Sequence, residues 1–180
     1  MIQLAIKESA IDRARTALAG IPGATVKALS TTLNKAIAGA KTDASRKATE
    51  IYHVKKNEVL RAILVSRSKP GDVLQASFKA KGYRKSLAEY KLTPSSGNNG
   101  KADVRAAVKK EGGMKPIPKA YIAEGSGGYA AYIEGKRLTS PAIPQLLYNE
   151  EVSAFVQEQS ASRVEKALDH EILRLLGAFK

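Results

Sequence analysis

Apolar residues recur at steps of three and four between Ala24 and about Tyr52. Val26, Leu29, Leu33, Ile37, Ala40, Ala44, Ala48 and Ile51 line one stripe, which predicts a long helix. A shorter amphipathic helix over 7–19 precedes it, closed by Gly20-Ile21-Pro22-Gly23, since Pro and Gly together stop a helix and turn the chain. The far half of the long stripe is mostly Ala. Small side chains let a neighbour approach closely but bury little area at ~25 cal/mol per Å² of apolar surface, so this helix calls for a partner. That partner is either the chain's own C-terminal helix or another subunit.

After a short helix over 55–61 the period changes to two. Ala62–Arg67 places Ile63 and Val65 on one face, and Lys69-Pro70-Gly71-Asp72 makes a turn. Val73–Ala80 sets Leu74, Ala76, Phe78 and Ala80 inward against Gln75, Ser77 and Lys79. Ser86–Thr93 alternates Ala88, Tyr90 and Leu92 against Leu87, Glu89 and Lys91. The stretch Pro94–Gly100 reads as a loop. Beyond it, Ala102–Lys110 puts Val104, Ala106 and Val108 opposite Arg105 and Lys109. Gly112-Gly113 turns the chain towards Ile117–Glu124, where Ala120 and Ile122 share a face, and Gly125–Gly128 leads into Tyr129–Glu134. This predicts a small antiparallel meander of four to five strands.

Pro141 and Pro144 stiffen the entry to a final helix that starts at Gln145 or Asn149 and ends near Ala178. Val152, Phe155, Val156, Ala167, Leu168, Ile172, Leu175 and Phe179 fall at helical spacing. Glu150 and Glu151 near the start and Arg174 and Lys180 near the end suit the helix dipole. The middle, 157–163, is polar nearly all round and is expected to be partly exposed. The predicted class is α+β: one domain over 1–180, with a helical region (1–61), an antiparallel sheet (62–135) and a Pro-rich entry with the C-terminal helix (136–180).

Charge narrows the function. Thirty Lys and Arg against seventeen Asp and Glu leave +13, and the surplus is uneven: residues 1–115 carry +14 and residues 116–180 carry −1. Such an excess repels itself unless an anionic partner or neighbour is present. Nucleic acid, an acidic protein surface and a merely solvated lysine-rich surface all remain open on this ground. Three clusters concentrate the charge: Arg46, Lys47, Lys55, Lys56 and Arg61; then Lys79, Lys81, Arg84 and Lys85; then Lys101, Arg105, Lys109, Lys110 and Lys115. Dense Lys and Arg neutralise phosphates without reading sequence, and no helix-turn-helix, zinc-finger or RNA-recognition pattern accompanies them.

Catalysis has little to draw on. There is no Cys, so no disulfide, thiolate metal site or cysteine nucleophile is expected. His53 and His170 are the only imidazoles and neither sits in a metal-binding spacing. Gly125–Gly128 lacks the Lys-Ser or Lys-Thr and the helix that a phosphate cradle needs. No enzyme, cofactor or metal site is expected. Lys7-Glu8 interrupts the first apolar residues too early for a signal-peptide core, and the longest aliphatic run, Ala62–Val65, is far short of the roughly 20 residues of a membrane helix. No membrane partner is expected.

An ordered set of blocks resembles the phage and prophage minor tail protein Z family over about residues 1–178. The blocks are Leu33-Asn34-Lys35-Ala36 with Lys41-Thr42-Asp43-Ala44-Ser45-Arg46-Lys47, Tyr52-His53-Val54-Lys55-Lys56, Ala76-Ser77-Phe78-Lys79-Ala80-Lys81-Gly82 and Tyr90-Lys91-Leu92-Thr93-Pro94. Val104–Lys110, Lys115-Pro116-Ile117-Pro118-Lys119-Ala120-Tyr121 and Ser140-Pro141-Ala142-Ile143-Pro144-Gln145-Leu146-Leu147 follow. The resemblance implies a structural, non-enzymatic protein of the virion tail, made in the host bacterial cytoplasm. Its role would be tail completion at the head-proximal end, connecting tail to neck and placing or passing the genome end. It also implies other tail and neck proteins as partners and self-association into a ring.

A ring requires two different interface patches on each subunit. Leu33, Ile37, Ala40 and Ala44 on the long helix, with Phe155, Leu168, Ile172 and Leu175 on the final helix, are the candidates. Arg46, Lys47, Lys55, Lys56, Arg61, Lys79, Lys81, Arg84, Lys85, Arg105, Lys109 and Lys110 are the candidates for contact with genome DNA or an acidic partner. The alternative reading is a free, sequence-independent nucleic-acid-binding protein, whose affinity would fall steeply with salt.

Overall fold

The computed structural model describes residues 2–70, 74–97, 103–125 and 128–177. Parts of the expected turn at 69–72, loop at 94–100 and turn at 125–128 lie outside the described residues, as do Lys101 and the helix end with Phe179 and Lys180. The elements in the first half are β1 (Ile2–Leu4), α1 (Glu8–Ala17), α2 (Ala24–Ile51), α3 (Lys56–Ala62), β2 (Ile63–Ser66) and β3 (Ala76–Ala80). Then come β4 (Lys85–Ser86), a 3₁₀ turn (Leu87–Glu89), β5 (Lys91–Thr93), β6 (Arg105–Ala107), β7 (Lys115–Pro116) and β8 (Tyr121–Gly125). The last are β9 (Gly128–Ile133), β10 (Lys136–Arg137), β11 (Thr139–Ser140), α4 (Ile143–Leu147) and α5 (Glu150–Gly177).

The chain is mixed helix and sheet, with the two expected long helices. The strands depart from the expected single meander: they form several small antiparallel sheets. Two compact units arise from interleaved segments. Unit 1 comprises Met1–Ala44, Ile63–Ala80 and Tyr148–Lys180; unit 2 comprises Ser45–Ala62 and Lys81–Leu147.

In unit 1, Ala24, Ala28, Leu29, Leu33, Ala36, Ile37, Ala40 and Ala44 of α2 are buried. Val26, expected on this stripe, is exposed, because the first turn buries its Ala24 and Ala28 side instead. Ala28 and Leu29 share a core with Ala14 and Leu18 and with Leu168, Ile172 and Leu175 of α5. The first turns of the α2 stripe are thus covered by the chain's own final helix. The two helices run antiparallel, since Lys35 bonds Glu171 while Asp43 bonds Arg163. On α5, Val152, Val156, Ser160, Val164 and Leu168 repeat every fourth residue and are buried. The polar stretch 157–163 is partly exposed, as expected, and the small side chain of buried Ser160 carries the stripe across it.

The sheet of unit 1 has the order β1-β3-β2. Its β1 was not legible as a strand, yet it pairs with β3 through Ile2↔Phe78 and Leu4↔Ala76. Pairing of β2 adds Val65↔Phe78 and Ile63↔Ala80, so the predicted inward set of β3 shares a face with Ile63 and Val65. Ser77, expected outward, is buried.

Unit 2 packs Leu87, Val104, Ile122 and Ala131 with Leu92, Ala106, Val108, Ile117, Ala120 and Leu138. Two three-stranded meanders, β5-β6-β7 and β10-β9-β8, and the pair β11-β4 surround this core. The expected strand over 86–93 is broken at its centre. Ser86 Oγ accepts from Ala88 N at 3.4 Å and Glu89 Oε1 accepts from Ser86 N at 3.0 Å, a capping box that winds 87–89 into the 3₁₀ turn. The turn breaks the alternation and brings Leu87 into the same core as Leu92. Glu134 and Gly135, at φ 49° and 74°, join β9 to β10 in the two-residue geometry that matches strand twist.

Candidate polyanion-binding site

The two units divide the charge unequally. Unit 1 holds 13 Lys and Arg against 10 Asp and Glu, a net of +3; unit 2 holds 17 against 7, a net of +10. Unit 1 also pairs six of its cations internally. Arg13 meets Asp169 at 3.1 Å, Arg163 meets Asp43 at 2.6 Å, and Lys35 and Arg174 both bond the buried Glu171. In unit 2, Lys55, Lys56, Arg61, Lys81, Arg84, Arg105, Lys109 and Lys110 are exposed and make no ion pair among the described residues.

Backbone pairing gathers clusters that are far apart in sequence. The end of α2 runs antiparallel to the segment after β6: His53 N donates to Val108 O and Lys110 N to Ile51 O, both at 2.8 Å, around a bridge between Tyr52 and Lys109. Lys109 and Lys110 therefore lie beside the turn that leads to Lys55 and Lys56. At the other end of α3, Lys81 N donates to Ala62 O at 2.9 Å, which places Lys81 next to Arg61. The seven residues of α3, about 10 Å at ~1.5 Å per residue, thus have cations at both ends.

Lys91 belongs to this surface and was not singled out from the sequence, where its outward position in an alternating strand was the available signal. It faces Ala107 in the β5–β6 pair, one step diagonally from Arg105 and on the same sheet face. His53 reports the result. Partial burial, followed by the positive charges of Lys91 and Lys110, lowers its pKa, which favours the neutral imidazole. His170 lies in unit 1, exposed beside Glu171. Among the described residues, no group of His, Asp and Glu could hold a metal ion, and no helix is long and apolar enough to cross a membrane.

Several expected site residues are placed otherwise. Lys79 belongs to unit 1, outward on β3 opposite Leu64, whereas Lys81, Arg84 and Lys85 belong to unit 2. The Lys85 side chain is only 16% exposed and its ammonium is bonded to Glu58 at 2.8 Å and Glu89 at 2.7 Å. Burial acts against its charge, but the two carboxylates outweigh it and raise the Lys85 pKa, so this cation is engaged within the chain. Arg46 is exposed and Lys47 half-buried, and both already interact within the chain.

The expected subunit-contact residues are likewise occupied. Leu33, Ile37, Ala40, Ala44, Leu168, Ile172 and Leu175 are buried within the chain itself. Phe155 is half-buried.

Unit 2 also contains an open groove of about 950 Å³ lined by Ser96, Gly97, residues 119–124 and Tyr129. It holds one cation, Lys119, and one carboxylate, Glu124, so its charge is balanced and it adds nothing to the basic surface. Comparison of the chain with protein-family models, curated proteins and solved structures finds no match in any of the three.

Proposed function

We propose that this chain is a structural, non-catalytic minor tail protein of a phage or prophage. In this reading it acts in tail completion at the head-proximal end, helping to join tail to neck and to place or pass the genome end. The observation that carries the reading is the sorting of charge by the fold. Among the described residues, unit 1 pairs six of its cations with its own carboxylates, whereas unit 2 keeps +10 and leaves most of its Lys and Arg exposed without an ion pair. A surplus of this kind is relieved by a polyanion, and contact with phosphates alone suits DNA that passes without being read. Self-association into a ring would draw on apolar side chains still exposed in unit 1, such as Leu64 and Leu173.

The test is charge reversal at Lys55, Lys56, Lys109 and Lys110 together, in particles carrying the variant. The expected result is a folded protein and tails that fail to join heads or to deliver DNA. Normal DNA delivery would show that this surface does not face the genome. Complete, infectious tails formed without the chain would remove the tail-completion role itself.

A further inference from the structure

Tyr83 is 94% exposed, at the tip of the segment Lys81-Gly82-Tyr83-Arg84-Lys85 in unit 2. Its ring is unpacked, yet the backbone beneath it is pinned on both sides. Before it, Lys81 N is bonded to Ala62 O at 2.9 Å, and a side chain at Gly82 would come within 3.4 Å of the Pro144 ring. After it, Lys85 pairs with Ser140 between β4 and β11, and Ser140 Oγ donates to Lys85 O at 3.2 Å. The cations of this segment fall into two kinds. Lys85 is held by Glu58 and Glu89, while Lys81 and Arg84 are exposed and make no ion pair among the described residues. Arg84 borders a cleft of about 240 Å³ shared with Thr139, Ser140, Pro141 and Gln145.

A pinned loop that presents an aromatic face between two unpaired cations has the ingredients of a stacking platform. Any base offers a π-face, so stacking tolerates all sequences, while the flanking cations neutralise phosphates. An acidic protein surface would use Lys81 and Arg84 and leave the ring idle, and an intact duplex keeps its base faces covered. We propose that this loop binds single-stranded nucleic acid, with Tyr83 stacked on an unpaired base and Lys81 and Arg84 on adjacent phosphates. The inference rests on unit 2 facing a polyanion and specifies which one.

The experiment titrates the full chain with fluorescent oligothymidylate, a duplex of equal length, and heparin, at several salt concentrations. Tyr83→Ala is expected to weaken oligothymidylate binding roughly fivefold or more, the low end for one stacked base, with heparin binding unchanged. Tyr83→Phe, which keeps the ring, should bind like the wild type. Lys81→Gln with Arg84→Gln should weaken all polyanions and flatten the salt dependence for the single strand by about 0.7 in log–log slope per cation. Circular dichroism of each variant checks the fold. Equal losses of oligothymidylate and heparin on Tyr83→Ala, no loss at all, or wild-type preference for the duplex would each overturn the stacking role. In those cases salt-dependent wild-type binding still supports unit 2 as the polyanion-facing unit. Binding to none of the three probes overturns both ideas.

Discussion

Asn34 on α2 holds the backbone of Ser68 with both of its hydrogen-bonding groups. Its Oδ1 accepts from Ser68 N at 2.8 Å and its Nδ2 donates to Ser68 O at 2.9 Å. Ser30 Oγ, one helical turn earlier, donates to the same carbonyl at 3.1 Å. Ser68 lies just past the end of β2, so an amide side chain here takes the place of a ladder partner for a buried backbone. Asn34→Leu leaves the Ser68 N–H without its acceptor and should cost about 1–3 kcal/mol in urea unfolding. Ser30→Ala should cost less, because Asn34 still serves that carbonyl. The reverse order of the two losses would contradict this account.

Gly39 sits opposite Arg163 between α2 and α5. A Cβ at Gly39 would collide with Arg163 Nε, while the same guanidinium donates to Asp43 Oδ2 at 2.6 Å. Gly→Ala in a helix interior ordinarily gains roughly 1 kcal/mol. Here the expectation is inverted: Gly39→Ala displaces the guanidinium from Asp43 and lowers the melting temperature. Combined with Arg163→Ala, the same change should recover the usual helix gain. A double-mutant cycle measures the coupling, and additive effects would mean that the two residues do not conflict.

Glu171 should make the protein acid-sensitive. Its side chain is 1% exposed, and burial by itself would raise its pKa, but hydrogen bonds from Lys35 and Arg174 outweigh burial and lower it. The folded state therefore holds this proton less tightly than the unfolded state. The stabilisation is complete above the ordinary carboxylate range and is lost as pH falls through that range to the lowered folded value. Glu171→Gln removes the titrating group. Its urea stability should fall less steeply in acid than that of the wild type, although it is less stable at neutral pH. Parallel acid profiles for the two proteins would sink the assignment.

His53 offers a direct probe of the basic surface. Partial burial and the charges of Lys91 and Lys110 lower its pKa, so a polyanion that neutralises those lysines should raise it and draw protons from solution. Titration of the His53 ring by NMR, with and without heparin, checks this. Lys110→Ala should raise the pKa even without a ligand. A His53 titration indifferent to heparin would place the polyanion elsewhere on unit 2.

The fold was legible where its cause was local. The long helices were readable because the hydrophobic repeat of α2 and α5 is a property of consecutive residues. The break at 87–89 was missed although its cause, Ser86-x-x-Glu89, is local, because strand alternation through Tyr90 and Leu92 obscured it. β1 was not readable: three residues make no pattern, and Ile2–Leu4 becomes a strand only because β3 offers an edge. The basic clusters were visible as composition. Their arrangement around α3, with Lys91 included and Lys85 withdrawn onto Glu58 and Glu89, was not.

By itself the sequence determined the helical stripes, the inward face of β3, the excess of positive charge and the scarcity of groups suited to catalysis, all set by residue type and short-range spacing. Only the tertiary structure decided that α2 meets α5 within one chain, that segments interleave into two units, and which cations stay exposed. Those outcomes depend on which surfaces remain for distant segments to cover. Backbone pairing between 51–53 and 108–110 joins residues more than fifty positions apart, and no local pattern encodes it.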